Sequence, residues 1–235
     1  MKRASWGALA LALLAGLAQA MSLAAPGSGA PLWWLQLPAL AVLVTLLDRS
    51  HSAVSAAALG LVFATAWMCG TFWWLFISMY TYGGLAAPLA ALAVLALGAF
   101  VALFYAAACA AWRAWARGHW LWRALVFAAL WLLAELCRGQ WLTGFPWGAA
   151  GYSHVDGPLA ALAPLAGVYG MSFMAALLAA LLAFALRRPV NWGAGVAVAL
   201  LLAALVWTPW APAPGWSRSP TMRCRALPMK IMCAP

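Results

Sequence analysis

Long apolar runs, broken by short clusters of charge, Gly, Pro and aromatic residues, set the pattern of this chain. Seven such runs predict helices over about Trp6–Met21, Trp33–Leu47, Ala53–Met79, Leu85–Ala111, Trp120–Cys137, Leu159–Leu186 and Val190–Trp207. They are hydrophobic all round, so no stripe separates a core face from a water face. A helix needs roughly 20 mainly apolar residues to cross the hydrocarbon core of a bilayer. The pattern therefore predicts an all-α, polytopic membrane helix bundle of about seven transmembrane helices, one domain over 1–212. No internal repeat is visible.

Composition removes the alternatives. Apolar residues make up 68% of the 235 and charged residues 7%, against about 25% charged in a soluble domain. So few charges cannot cover a water-facing surface. The net charge of +10 would suggest nucleic acid on a soluble protein. Here the basic residues fall between apolar runs, where they orient helices and meet anionic lipid. No basic stripe or nucleic-acid motif is present, so no nucleic-acid partner is expected.

The same residues set a topology. With the N-terminus in the cytoplasm, the inside loops hold Lys2, Arg3, Arg49, Arg113, Arg117, Arg123, Arg187 and Arg188, and the outside loops before the tail hold only Arg138. That is a strong positive-inside bias. Of 17 Trp residues, only Trp67 and Trp131 fall well inside predicted spans. The others lie near span ends, at the level an amphipathic ring prefers. Lys2-Arg3, an apolar stretch and Ala18-Gln19-Ala20 also fit a cleavable secretory signal; pattern alone leaves cleavage open.

Residues after Trp207 differ. A Pro-rich exit leads into 213–235, a basic tail with no helical or strand period, expected to be aberrant or disordered and periplasmic. Its abrupt change of composition suggests out-of-frame sequence from Ser217 onward. Of the five cysteines, Cys69, Cys109 and Cys137 lie in apolar runs and read as small buried residues; Cys224 and Cys233 lie in the tail. There is no CxxC pair and no His cluster, so neither a metal site nor a cofactor is expected. His51, His119 and His154 fall in separate loops and read as exposed.

The chemistry concentrates near one predicted helix end. Glu135 and Arg138 are three apart and share a helix face; an unpaired charge at membrane depth is costly. They read as an ion pair closing the helix, or as polar contacts to a lipid headgroup or partner domain. Gly139 to Pro158 then holds five Gly, two Pro and one charge, Asp156. Irregular backbone cannot face lipid tails, and Trp141, Phe145, Trp147 and Tyr152 argue against disorder. An ordered, membrane-hugging loop is expected, with Asp156 capping the following helix. "TFWWLFISMYTYGG", Thr71 to Gly84, puts Trp73, Trp74, Phe76, Tyr80 and Tyr82 on the same face. It reads as an interfacial belt or as the second wall of a lipid-entry site.

"ELCRGQWLTGFPWGAAGYSHVDGPLAALAPLAGVYGMSF", Glu135 to Phe173, resembles the membrane-domain signature of bacterial apolipoprotein N-acyltransferase. It carries E-x-x-R-G, T-G-F-P-W, G-Y-S, D-G-P-L and Y-G-x-S-F in order, and "WWLFISMYTYGG" also matches. The likeness covers about residues 6 to 212. It implies an inner-membrane enzyme of eight helices, with a periplasmic nitrilase-like domain between the last two. That domain moves an acyl chain from phospholipid to the N-terminal amine of a diacylated lipoprotein, through a thioester on a Glu-Lys-Cys triad. The sequence departs from the family by stopping about where that domain would begin. It is therefore expected to lack the domain and the last helix and to be inactive alone, and no catalytic residue is assigned. The expected partners are phospholipid, diacylated lipoprotein, the membrane and a separate nitrilase-like domain. Candidate substrate-facing residues are Trp73, Trp74, Tyr80, Glu135, Arg138, Phe145, Trp147 and Tyr152. A non-enzymatic lipid-binding subunit and a transporter-like protein remain alternative readings.

Overall fold

The structure is a computed structural model that describes residues 4–141, 144–187 and 190–207. Among these residues eight α-helices form and no strand: α1 (Trp6–Leu23), α2 (Gln36–Arg49), α3 (Ala53–Thr71), α4 (Trp73–Ile77), α5 (Ala87–Trp115), α6 (Trp120–Gln140), α7 (Ala163–Ala185) and α8 (Trp192–Trp207). The expected all-α membrane bundle is therefore present. The helix starts follow local chemistry. Ser5 and Ser52 cap α1 and α3 by accepting from the amides of Ala8 and Ser55, and the His119 ring accepts from Leu121 at the start of α6. Proline sits in the first turns of α5 and α7, where its missing N–H costs nothing.

Five segments are long and apolar enough to cross a bilayer: α1, α3, α5, α6, and Pro158–Ala185, which contains α7. The other two predicted spans are shorter as helices. α2 has 14 residues, because Trp33–Leu35 winds as a 3-10 turn before it. α8 has 16 residues. The predicted third helix, Ala53–Met79, is also corrected. It ends at Thr71; Phe72 leaves the helical region at φ −99° and ψ 14°, and a one-turn α4 and a π-helical turn over Ser78–Tyr82 follow. Phe72 breaks the helix where its ring turns inward to pack edge-on against Phe145, 5.0 Å between centroids. The expected Leu159–Leu186 helix opens instead with a 3-10 turn over Pro158–Leu162 and kinks at Gly167, whose φ of +62° few other residues adopt.

Neighbour packing runs α1–α2–α7–α6–α5–α3 and back to α1, a closed ring, with α8 set against α7. The ring is tight where residues are small. A Cβ on Gly16 would lie 2.2 Å from the Phe63 carbonyl oxygen; one on Gly60 would lie 2.7 Å from Cys109 Sγ, and one on Gly98 2.8 Å from Cys69 Sγ. Small residues let helices approach where no hydrophobic effect drives them together. Cys69 and Cys109 are thus packing residues; Cys224, Cys233 and the whole tail lie outside the described residues.

An aromatic stack fills the centre. Trp67 of α3 lies parallel to Trp131 of α6, 5.7 Å apart, and both meet Tyr105 of α5, at 5.1 and 4.8 Å. All three are buried. The bundle also has two unlike ends. One gathers Asp48, Arg49, Arg113, Arg117, Arg123 and Arg187 at helix ends. The other gathers α4, the π-turn and the segment 144–162, and is aromatic.

Candidate functional site at the aromatic end

The segment after α6 is ordered by buried polar side chains from four helices. Glu135 and Arg138 are 1% and 2% exposed, and they do not form the expected ion pair. Each reaches the loop separately. Glu135 Oε1 accepts from the Ala150 amide at 2.8 Å. Arg138 donates through Nη1 to the carbonyls of Phe145 and Trp147, both at 2.8 Å, and through Nε to the Tyr105 hydroxyl at 2.9 Å. The pair does not form because irregular backbone at membrane depth offers amides and carbonyls that must be satisfied internally. Guanidinium and carboxylate supply the missing donors and acceptors.

Other helices contribute in the same way. Gln36 Nε2 of α2 donates to the Ala150 carbonyl at 2.7 Å, and the Gly151 amide donates to Ser172 Oγ of α7 at 2.8 Å. Ser22 of α1 spends its hydroxyl proton on the Gln19 carbonyl, so Ser153 is the donor in their 2.9 Å contact. Two glycines permit the close fit. Gly144 has φ +77°, and a Cβ there would lie 2.2 Å from the Gly139 carbonyl oxygen; on Gly151 it would lie 2.2 Å from that of Val168.

Held in this way, the loop faces α4 across a groove of 460 Å³ lined by Thr71, Phe72, Trp74, Pro146, Trp147 and Tyr152. Trp74 and Trp147 stack across it, 5.1 Å between centroids and 26° between planes. Both rings are exposed, as is Tyr152. The structure brings together four of the eight residues singled out from sequence: Trp74 and Trp147 face each other, Tyr152 lines the groove, and Phe145 packs behind it on Phe72. Glu135 and Arg138 lie beneath as supports. Trp73 and Tyr80 are exposed on the same rim outside the groove, Tyr80 stacked on Phe76 at 5.7 Å. The groove is largely apolar, aromatic and open, suited to a hydrocarbon chain.

Two expectations about the loop are corrected. Asp156 is exposed and caps nothing: Gly157 stands at the start of the 3-10 turn, with no side-chain cap. His154 is buried at 0% exposure, because Gly157 leaves room for its ring beside Trp33, with centroids 6.0 Å apart. Neither ring nitrogen has a hydrogen-bond partner among the described residues. Burial pulls its imidazole down to about 4 from 6.5. The unfolded chain then binds a proton between these values that the folded chain refuses, so stability falls as pH drops from 6.5 toward 4. The shift corresponds to roughly 3 kcal/mol. Unfolding followed in detergent is expected to show this loss, and His154→Phe to flatten it; an unchanged slope in the variant would remove His154 as its source.

Sequence reading missed Ser22, Gln36, Tyr105 and Ser172 as supports. Their signal was polarity: Gln19, Ser22, Gln36 and Ser172 stand out in otherwise apolar runs. Among the described residues no cluster of His, Cys, Asp and Glu could hold a metal.

The family model of the apolipoprotein N-acyltransferase N-terminal domain matches residues 15–181, which include the loop and its supports. The chain belongs to this family. A curated apolipoprotein N-acyltransferase from Verminephrobacter eiseniae is 51% identical over 234 residues, 92% of this chain and 43% of that protein. Those from Ralstonia nicotianae and Pseudomonas putida are 45% and 44% identical, over 75% and 86% of this chain and 35% and 39% of theirs. The chain spans less than half the length of these curated relatives. Five segments long and apolar enough to cross a bilayer, together with this membership, make it a multi-pass membrane protein.

Proposed function

We propose that this chain is the membrane-embedded part of an apolipoprotein N-acyltransferase, and that its aromatic end receives the acyl chains of phospholipid and diacylated lipoprotein. The observation that carries the reading is the Trp74–Trp147 groove, open at the bundle end and built on the buried Glu135 and Arg138. Stacked indoles at the headgroup level offer an acyl chain an apolar wall beside a polar interface. The eight residues Trp73, Trp74, Tyr80, Glu135, Arg138, Phe145, Trp147 and Tyr152 form this site, six presenting rings and two holding the loop. The basic end faces the cytoplasm and the aromatic end the periplasm of the inner membrane, in keeping with positive-inside orientation.

Acyl transfer itself belongs to a nitrilase-like domain seated over the aromatic end, where a thiolate and an adjacent acid and base divide the reaction through a thioester. The membrane part binds, orients and keeps the acyl chain out of water.

The test is acyl transfer to a diacylated lipopeptide in proteoliposomes, comparing the purified chain with the chain extended by a relative's nitrilase-like domain. The chain alone is expected to be inactive and the extended form active. Trp74→Ala with Trp147→Ala in the extended form is expected to raise KM for phospholipid about tenfold, in line with losing one or two stacked apolar contacts. Unchanged KM in a folded double variant would remove the groove from the substrate path.

A further inference from the structure

The opposite end of the bundle carries an unbalanced charge. The chain has three acidic residues. Glu135 and Asp156 lie at the aromatic end, which leaves Asp48 as the only acid near Arg49, Arg113, Arg117, Arg123 and Arg187. Asp48 is shared by two guanidiniums: Oδ1 pairs with Arg123 and Oδ2 with Arg187. Arg123 lies over the rings of Trp112 and Phe184, at 5.0 and 5.1 Å, and Arg187 over Phe184 at 4.9 Å. Arg123 Nε is buried without an acceptor among the described residues. Arg113 Nε donates to the Ser50 carbonyl at 2.8 Å. Arg49 is exposed and has no acidic partner among the described residues.

Of these groups, Asp48, Arg49 and Arg187 line a groove of 510 Å³ between the ends of α2 and α7, together with Val44, Phe184 and Leu186. One wall is cationic and the other apolar, and Leu186 is exposed beside it. The charge asks for an anion, and guanidiniums suit a phosphate. The apolar wall and the position at the helix ends, where headgroups lie, ask for an anion that carries hydrocarbon. Among the described residues no free carboxylate is left at this end to receive a lipid ammonium, since both oxygens of Asp48 are taken.

We propose that this groove binds the phosphodiester of an anionic phospholipid lacking an amine, with Arg49 and Arg187 on the phosphate and Val44, Phe184 and Leu186 along the glycerol and upper acyl chain. The site is separate from the aromatic groove and lies in the other leaflet. Basic pockets between helix ends recognise anionic headgroups in this manner.

The experiment reconstitutes the full chain in nanodiscs of phosphatidylcholine with rising phosphatidylglycerol and counts the lipid retained on release, by native mass spectrometry. Wild type is expected to keep phosphatidylglycerol over phosphatidylcholine. Arg49→Gln and Arg187→Gln are each expected to weaken retention roughly fivefold. Arg187→Lys, which keeps the charge, is expected to recover part of the loss. Arg49 is exposed and makes no ion pair among the described residues, so Arg49→Gln tests the site even if Arg187→Gln unfolds. Arg117→Gln removes the same charge from an exposed position on the same end and is expected to change nothing. Equal retention of the two lipids, an equal loss in Arg117→Gln, or displacement of the lipid by excess inorganic phosphate would each overturn the proposal.

Discussion

Arg138→Ala will cost the bundle about 3–5 kcal/mol, the range for removing one partner from a buried charge network. The alanine leaves three acceptors without their donor: the carbonyls of Phe145 and Trp147 and the Tyr105 hydroxyl. It also leaves Glu135 buried one turn away with its cationic neighbour gone. The loop should then detach before the helices separate. Denaturant unfolding in detergent will show the stability loss, and limited proteolysis within 141–158 the detachment. Arg138→Lys will recover less than half, because a point ammonium cannot serve ring and loop at once as a planar fork does. Glu135→Leu with Arg138→Leu will cost less than the two single changes summed, since no unpaired charge remains. A loss under about 1 kcal/mol in Arg138→Ala would mean that the guanidinium is not holding the loop, and strict additivity that the two buried charges are uncoupled.

Trp67→Ala will cost a similar amount, about 3–5 kcal/mol, from lost contacts and the cavity left among α3, α5 and α6. Trp131 loses its stacked partner and Tyr105 its edge contact. Because Tyr105 anchors Arg138 Nε, the damage should reach the loop, and near-ultraviolet circular dichroism should register the change in the stack. Trp67→Phe will cost under about 1.5 kcal/mol. The Trp67 indole N–H is buried without a partner, so removing it relieves an unsatisfied donor while most of the ring contact stays. A phenylalanine variant as unstable as the alanine variant would show that the indole makes a bond absent from this structure.

Both predictions rest on residues that the sequence had marked, though not with these partners. Trp67 and Trp131 stood out because every other tryptophan fell near a span end; that they stack on each other required α3 and α6 to meet. Glu135 and Arg138 stood out as charges in an apolar run, and i, i+3 spacing suggested a mutual pair. Spacing places two side chains on one face, yet it cannot weigh that pair against acceptors arriving from a loop 7 to 15 residues downstream. His154 was misread for a related reason: loop residues are usually exposed, and its burial depends on Trp33 and on the missing side chain of Gly157.

The bilayer explains why so much was legible. Hydrocarbon forces every spanning backbone group to bond within its own helix, so length, apolarity and flanking charge mark the helices almost without regard to one another. Fold class, the basic end, the aromatic end and family membership all follow from such local or linear signals. The closed ring of six helices, the Trp74–Trp147 groove and the shared Asp48 do not. Each joins residues from separate helices, and helices that are apolar on every side carry no stripe to say which face meets which neighbour. Glycine close approaches and buried polar bonds settle that choice, and they act only once the helices are side by side.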